Sequence, residues 1–538
     1  PRSLFGPLFQ RLLPWLAVLV GVILVAGPIF GTLQRSVASS DITYDFTLEN
    51  FIGLISDPTF RDSVVNSLIT GAGVAVIASV LGCTLAWIVA RTDLPGRGIF
   101  EILNLMPFFV SPYVGAMSWL YLAAPNSGIL PKMLMPYMPA WVTFPNIYSV
   151  GGVIWVLSLF YPPYIYLFVI GPMRSMDGAL EDAARVHGAS FLYTTRKITF
   201  PLLLPSILAG GLIVFVTSAG VFDVPLSISA TKGIPMVPTD IYRAVQYPSD
   251  FGRAAAIATM MMTLTIAVII FQQQWVNKRR FDTVSGKGYR PRPVALGPTG
   301  RALAMGIQIF YFLVAAALPI IALVMVSVSP LWTGIFRPAS ANLSNFYYVL
   351  TESPLTRAAV WNSLFIGFGQ SRMRMFVDPI LSLPLGIPGI IIGLGFLILL
   401  IRTPLYTTIW IIIIACVAHF FPLALRNISA MLLSINPELE QSARASGASW
   451  LQSMYYVLLP LVRPAVIASW LLLFIILIRE LGATILLYSQ GTETISVALV
   501  ILSEQNFGYV AALAVVQVIM LLSGFFLIRL TSPHFLGR

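Results

Sequence analysis

The chain has 538 residues, of which 57% are hydrophobic and only 10% are charged. Soluble domains carry about 25% charged residues, so the composition excludes a large soluble enzyme and indicates a protein of the lipid bilayer. The formal net charge is +11, and it does not require nucleic acid as a partner, because membrane proteins collect basic residues in their cytoplasmic loops.

The apolar residues are concentrated in long segments, and a helix needs about 20 such residues to cross a bilayer. In the first half the predicted spans are residues 12–33, 64–90, 99–123, 150–170, 202–222 and 254–271. In the second half they are residues 302–328, a short segment 358–369, 380–401, 406–424, 465–487 and 510–528. The sequence therefore predicts an all-α polytopic membrane protein with about 12 transmembrane helices in two pseudo-symmetric six-helix halves.

The charges between the spans predict how the chain is oriented. Residues 277–301 contain seven Lys or Arg residues and a single acid, Asp282, whereas residues 31–63 contain more acids than bases. Basic segments stay in the cytoplasm. Counting spans outward from residues 277–301 places both termini and the segments around Glu181 and Glu440 in the cytoplasm, with the first long loop outside.

The strongest internal repeat pairs Glu181–Ser190 (EDAARVHGAS) with Glu440–Ser449 (EQSARASGAS), at an offset of 259 residues. Two prolines follow each copy at the same spacing, and Asn-Ser-Leu triplets at Asn66 and Asn362 open the second span of each half. The chain is therefore predicted to contain two fused copies of one module, because repeats at a fixed offset indicate duplicated structural units. Residues 1–276 form the first module, 277–301 a basic cytoplasmic linker and 302–538 the second module.

The second half is shorter than the first at one place. Asn66 and Pro107 are 41 residues apart, whereas Asn362 and the corresponding Pro384 are only 22 apart. About a dozen apolar residues cannot cross a bilayer. We therefore expect residues to be missing from the chain near positions 369–374.

Each repeat predicts a short helix too polar for the bilayer, with a surface of small residues that another backbone can approach. A Glu at the start suits a helix N-terminus, and Gly188 and Gly447 are expected to end the helices. A structural surface helix is the alternative, but the duplication favours docking on a two-fold partner. The small residues are Ala183, Ala184, Gly188 and Ala189, matched by Ser442, Ala443, Gly447 and Ala448.

With these two copies in place, the sequence resembles the inner-membrane permeases of binding-protein-dependent ABC importers. Their hallmark is a cytoplasmic Glu-Ala-Ala segment followed by a Gly and later by Leu-Pro, here Leu204-Pro205 and Leu459-Pro460. The resemblance covers essentially the whole chain and points to the fused, two-module type. The sequence departs from Glu-Ala-Ala at Asp182 and at Gln441-Ser442, which are mild changes.

The resemblance implies that residues 177–190 and 437–449 are coupling helices seated on two copies of an ATP-binding subunit. The residues implied in this coupling are Glu181, Ala184, Arg185, Gly188, Ala189, Glu440, Ala443, Arg444, Gly447 and Ala448. It also implies an extracytoplasmic substrate-binding protein as a partner, membrane lipid around the chain and a bacterial inner (plasma) membrane location.

No phosphate-binding loop with the pattern Gly-x-x-x-x-Gly-Lys-Ser/Thr occurs in the sequence. The chain is therefore predicted to be a transport subunit rather than an enzyme, with no catalytic residues and no cofactor of its own. ATP and Mg²⁺ are expected on the separate partner subunits.

Charged residues inside apolar spans are candidates for the translocation path, because they are costly there and are often functional. Arg479 and Glu480 lie late in the predicted span 465–487, and Asp223 occupies a comparable position in the first half. An ion pair that holds the helices together is an equally weighted alternative. Pro107 and Pro112 make the third span breakable. The prolines and glycines of residues 384–395 do the same for the ninth span, and broken helices often line a pathway.

Within the family, the Arg479–Thr484 stretch and the Asn-Ser-Leu triplets look most like the ferric-iron branch, while thiamine, 2-aminoethylphosphonate and polyamine permeases look similar. No metal-ligand pattern supports iron directly. Two further classes stay open. A secondary transporter would have no need of twin docking helices, and an intramembrane enzyme would need a nucleophile beside a base, which three scattered histidines do not provide.

Overall fold

The computed structural model describes residues 23–39, 45–139, 142–176, 179–278, 293–369, 387–435 and 438–531. Within these ranges every regular element is helical, and extended pairing is limited to isolated bridges at Ala38–Phe46 and Thr92–Val294. The predicted all-α membrane architecture is confirmed.

The first half contains fourteen described α-helices, several of them short. They are α1 (23–36), α2 (Glu49–Ser56), α3 (Pro58–Arg91), α4 (Arg97–Leu105), α5 (Pro112–Ala123), α6 (Ile129–Leu134), α7 (Val150–Phe160), α8 (Pro162–Ser175), α9 (Ala179–Val186), α10 (Phe191–Thr194), α11 (Phe200–Ala219), α12 (Asp223–Ile228), α13 (Val237–Val245) and α14 (Phe251–Lys278).

The second half contains twelve described α-helices. They are α15 (Gly297–Phe312), α16 (Leu318–Ser327), α17 (Ser344–Tyr347), α18 (Pro354–Gly369), α19 (Gly389–Leu400), α20 (Ile409–Ser434), α21 (Glu438–Ala445), α22 (Trp450–Ser453), α23 (Leu459–Ile478), α24 (Thr484–Leu487), α25 (Ile495–Ser503) and α26 (Phe507–Thr531).

Six described helical stretches are long and apolar enough to cross a membrane. The third predicted span instead forms a pair of helices, Arg97–Phe109 and Pro112–Ala123, bent by 93°, so the predicted break at Pro107 and Pro112 is confirmed. In the ninth span α19 runs unbroken from Gly389 to Leu400, so Gly393 and Gly395 do not break the helix. Pro384 and Gly386, which are also expected to make this span breakable, lie outside the described part of the chain. The residues expected to be missing near 369–374 fall in 370–386, outside the described part of the chain.

The described residues fold into two compact units. One comprises the described residues of 53–243 and 260–342, the other those of 1–52, 244–259 and 343–538. Each unit therefore contains the first span of the other predicted module. The division into modules 1–276 and 302–538 describes the repeat in sequence, and it stays a prediction.

In the unit built from 53–243 and 260–342, α3 packs along α8 and α11. Glycines permit the close approach. A Cβ on Gly82 would lie 2.7 Å from the Cβ of Ile165, and one on Gly71 would lie 2.9 Å from the Cβ of Ala219. The first span of the second module joins this unit, since the Gln308 amide donates to the Leu85 carbonyl at 3.3 Å.

In the other unit, α23 packs against α18, α20 and α26, while α19 packs against α24. The first helix, α1, contacts α19, because a Cβ on Gly395 would lie 2.7 Å from the Pro28 carbonyl oxygen. A Cβ on Gly393 would likewise lie 2.7 Å from the Ala483 carbonyl oxygen. Gly393 and Gly395 thus serve close packing within α19.

We expect Gly82→Ala to destabilise the protein. The added methyl group would meet Ile165 and, at 2.8 Å, the Pro162 carbonyl oxygen, and such overpacking costs about 1–3 kcal/mol. Thermal unfolding in detergent measures the loss. The matched control is Gly98→Ala, which meets nothing within 4 Å; equal melting temperatures for the two variants would contradict the prediction.

Candidate functional site

The first copy of the repeated motif forms a short helix that ends in a defined cap. Helix α9 runs from Ala179 to Val186, and Gly188 then adopts a left-handed backbone with φ of +79°. The Ala189 amide donates to the Ala184 carbonyl at 3.0 Å, which is the hydrogen bond of a Schellman cap. The predicted end of the helix at Gly188 is confirmed.

The second copy closes in the same way. Helix α21 runs from Glu438 to Ala445, Gly447 has φ of +90°, and the Ala448 amide donates to the Ala443 carbonyl at 3.1 Å. We call α9 and α21 the motif helices. The two repeated segments therefore form equivalent capped helices and are similar in structure as well as in sequence.

The motif helices also match in exposure. Ala183 and Gly188 are exposed while Ala184 and Ala189 are half-buried, and their counterparts Ser442, Gly447, Ala443 and Ala448 repeat this pattern. The expected surface of small residues is therefore present in both copies. Arg444 is exposed, whereas the side chains of Arg185 and Glu440 lie outside the described part of the structure.

Sequence reasoning missed one exposed residue of this surface. Val186 is 86% exposed at the end of α9, and its counterpart Ala445 is also exposed. Val186 lies one turn from Ala183 and is exposed with it, so the two residues extend the exposed surface of the motif helix. The signal in the sequence was its spacing of three residues from Ala183.

Glu181 faces the opposite way, into the protein. Its side chain is only 10% exposed and forms an ion pair with Arg91, at the end of α3. Its other carboxylate oxygen accepts a hydrogen bond from the Thr199 hydroxyl at 2.7 Å. Glu181 does lie in the first turn of α9, but its carboxylate binds two side chains distant in sequence.

The linker returns to the same end of α3. The Val294 amide donates to the Arg91 carbonyl at 2.8 Å, and the Asp93 amide donates to the Val294 carbonyl at 3.1 Å. The Asp93 carboxylate forms an ion pair with Arg301 and accepts from the Leu296 amide at 3.0 Å. The hydrogen bond from Arg301, with that from Leu296, lowers the pKa of Asp93 to about 2. The end of the linker and the first motif helix thus meet at residues 91–93.

The Asn-Ser-Leu triplets have a role that the sequence did not reveal. In the first half, the Asn66 amide donates to the Pro235 carbonyl at 3.0 Å and the Ser67 hydroxyl accepts from the Val237 amide at 3.0 Å. In the second half, Asn362 donates to the Glu493 carbonyl at 2.8 Å and Ser363 accepts from the Ile495 amide at 2.9 Å.

Both triplets therefore hold the segment that follows the fifth span. Each of these segments contains a glycine with a left-handed backbone, Gly233 with φ of +72° and Gly491 with φ of +89°. Asn66 and Arg91 lie on the same helix and 25 residues apart, which corresponds to about 37 Å at 1.5 Å per residue.

The three candidate path residues lie at breaks in the fifth span of each half. Helix α11 ends at Ala219 and α12 begins at the buried Asp223. In the second half α23 ends at Ile478, so Arg479 and Glu480 lie beyond its end. The expected continuous span over 465–487 is therefore wrong, because the chain leaves the helix at Arg479 and resumes it at Thr484.

Glu480 lies against the start of α19. Its Oε1 accepts a hydrogen bond from the Ala483 amide at 3.0 Å, and it leaves no room for a Cβ on Gly389, the first residue of α19. The carboxyl group of Glu480 therefore lies at the N-terminus of α19, the end of a helix that carries the positive part of its dipole. Among the described residues, no group of three or more His, Cys, Asp or Glu is placed to hold a metal ion.

Sequence comparison identifies the family through both halves of the chain. The profile of the family described as binding-protein-dependent transport system inner membrane component matches residues 63–281 and again residues 359–536. The chain belongs to this family. It is a transport permease, and the two matched segments confirm its duplicated organisation and its resemblance to fused importer permeases.

Relatives of this permease include transporters of iron and of a phosphonate. A putative ferric transport system permease protein, FbpB 1 of Haemophilus influenzae, is 24% identical over 454 residues, covering 80% of this chain and 71% of that protein. The ferric transport system permease protein FbpB of Actinobacillus pleuropneumoniae is 22% identical over 472 residues, covering 83% of this chain and 68% of that protein.

A putative 2-aminoethylphosphonate transport system permease protein, PhnV of Salmonella typhimurium, is 30% identical over 247 residues, covering 41% of this chain and 91% of that protein. Among solved structures, a bacterial ABC transporter involved in import of the acidic polysaccharide alginate matches at 17% identity and a TM-score of 0.43, covering 51% of this chain and 96% of that chain.

Proposed function

We propose that this permease is the transmembrane subunit of an ATP-driven importer and that two copies of a separate ATP-binding subunit seat on its motif helices. The observation that carries the proposal is the similar geometry of α9 and α21. Both are short, glycine-capped helices whose small residues share one pattern of exposure. Two equivalent docking surfaces suit a partner that is present in two copies, because symmetric partners need equivalent surfaces.

In this proposal both motif helices and both termini lie in the cytoplasm of a bacterial cell with the chain in its inner membrane. The linker supports this orientation. Its end, Val294 to Arg301, meets α3 at residues 91–93 beside Glu181, and the basic linker belongs to the cytoplasmic side by the positive-inside rule.

The proposed substrate is iron(III), delivered by an extracytoplasmic binding protein and moved by alternating access. The support is the similarity to the two FbpB relatives over most of the chain. The binding protein supplies selectivity, so the path needs no tight metal site. Asp223, Arg479 and Glu480 are the proposed charged residues of the path, since each lies at a break in a fifth span.

A second candidate substrate is 2-aminoethylphosphonate, favoured by the 30% identity to PhnV over 247 residues. Thiamine and polyamines complete the set of candidate substrates. ATP hydrolysis by the reconstituted complex distinguishes them when the cognate binding protein is supplied empty or loaded with each compound. We expect iron(III) loading alone to stimulate hydrolysis by about tenfold; stimulation by 2-aminoethylphosphonate instead would replace iron in the proposal.

Co-purification tests the importer class itself. An ATP-binding subunit that remains bound to the detergent-purified permease supports the proposal. A secondary transporter is the competing class, and uptake by the purified chain alone, without ATP or an ATPase, would establish it. ATP and Mg²⁺ would then have no place in the mechanism.

A further inference from the structure

Two clusters of hydrogen bonds hold helix α3 near its opposite ends. The motif anchor consists of Arg91, Glu181 and Thr199. The loop anchor consists of the side chains of Asn66 and Ser67 with the backbone of Pro235 and Val237. One anchor contains the motif helix α9, and the other contains the segment that follows α12.

The motif anchor joins three elements through one carboxylate. Glu181 of α9 pairs with Arg91 at the end of α3 and accepts from Thr199, immediately before α11. Arg91 also donates to the Met173 carbonyl at the end of α8, at 3.5 Å. The Arg91 side chain is 3% exposed and that of Glu181 10%, so little of this carboxylate is available to a partner protein.

The loop anchor is buried at Ser67 and half-buried at Asn66. Ser67 is 4% exposed, and one turn earlier Ser63 donates to the carboxylate of Asp240 on α13. Between the anchors α3 is continuous, with its only proline at the first position. Gly71 and Gly82 seat it closely on α11 and α8. A helix held this closely along its length moves with its neighbours, because packed interiors do not deform continuously.

We propose that Glu181 is a positioning residue that fixes the motif helix to α3, and that α3 carries movement of that helix to the segment held by Asn66 and Ser67. This inference rests on the proposed function. It assigns contact with the ATPase to the exposed face of α9, at Ala183 and Val186, and it assigns to Glu181 the transmission of movement into the protein.

The second half has the loop anchor but a different set of residues at the motif. Asn362 and Ser363 hold residues 491–495 as Asn66 and Ser67 hold 235–237. At the offset of 259 residues, the counterpart of Thr199 is Leu458, which has no hydroxyl. The complete arrangement of both anchors on one continuous helix is therefore described for the first half.

The test compares ATPase binding with uptake per ATP hydrolysed, in proteoliposomes that contain the permease and its co-purifying ATP-binding subunit, with iron(III)-loaded binding protein. We expect Glu181→Gln to retain ATPase binding and to lower uptake per ATP by about tenfold. Thr199→Val, which leaves no buried charge unpaired, should act in the same direction with a smaller effect and covers the case in which Glu181→Gln fails to fold.

A double variant separates the ion pair from a contact with the partner. Either Arg91→Gln or Glu181→Gln alone leaves one buried charge without its partner, whereas the double variant leaves none. We therefore expect uptake per ATP hydrolysed to be at least as high in the double variant as in either single variant. The matched control is Glu101→Gln, which breaks the Glu101–Arg174 ion pair without involving α9, and should leave uptake per ATP unchanged.

At the other anchor, Asn66→Asp removes the amide that donates to Pro235 and should also lower uptake per ATP with ATPase binding intact. The inference is overturned if Glu181→Gln weakens ATPase binding while uptake per ATP hydrolysed is normal, or if it changes neither quantity. Both results leave the proposed function standing. A wild-type permease that binds no ATPase would instead refute the proposed function before the variants are compared.

Discussion

Val186→Glu should release the ATP-binding subunit from the permease. Val186 is 86% exposed on the face of α9 that points away from Glu181's anchor, so in the proposed complex its side chain lies under the partner. Burying an unpaired carboxylate in such a contact costs about 2 kcal/mol or more, which corresponds to roughly a thirtyfold weaker complex. Co-purification and the concentration dependence of ATPase binding measure this loss.

Two further variants make the result specific. Ala445→Glu changes the equivalent position of the second motif helix and should weaken binding in the same direction. Leu331→Glu places the same charge on a residue that is 76% exposed, beyond the far end of the helical stretch Gly297–Ser327, and should leave ATPase binding unchanged. If Val186→Glu binds the ATP-binding subunit normally, this face of α9 is not the docking surface, whatever the effect of Glu181→Gln.

The features that the sequence predicted correctly are those with local causes. Proline restricts its own backbone and removes a donor, so the break at Pro107 and Pro112 could be read from the sequence. A glycine after a short helix permits a left-handed cap, so the ends of both motif helices could be predicted at Gly188 and Gly447. The repeat itself needed only the common offset of 259 residues.

The features that the sequence did not predict depend on contacts between distant residues. Arg91 and Glu181 are 90 residues apart, and nothing near either residue identifies its partner. The role of Asn66 requires knowing that residues 235–237 return to α3. Hydropathy predicts that a segment crosses the membrane, but not which helices it packs against, and for this reason the placement of each first span in the other compact unit could not be foreseen.

The break at Arg479 has the same explanation. Residues 465–487 are apolar enough to predict one span, and no proline interrupts them between Pro464 and Thr484. The structure ends α23 at Ile478 because the following residues pack against α19, where the backbone at Gly482 approaches that of Ile390. A tertiary contact thus overrides the local preference for a continuous helix, and it places Glu480 at the start of α19.

Glu480→Gln should lower iron(III) uptake by about tenfold, which corresponds to about 1.4 kcal/mol in the transport barrier, and should leave the ATPase bound. Gln has the shape of Glu and its carbonyl can still accept the hydrogen bond from Ala483, so the break and the packing on Gly389 should persist. Only the negative charge is lost, and in the proposed path this charge attracts the cation. Uptake by proteoliposomes and co-purification with the ATPase provide the two measurements.

The matched control is Glu504→Gln, which removes an exposed carboxylate of the same half and should transport normally. An ion pair that only holds helices together predicts a different result, because its loss would lower the melting temperature and affect assembly together with uptake. Normal uptake by Glu480→Gln would remove the residue from the proposed path. A drop in uptake confined to Glu480→Gln, with unchanged melting temperature and assembly, indicates that the charge of the carboxylate acts during transport, since the shape of the side chain and its hydrogen bond from Ala483 would still be present.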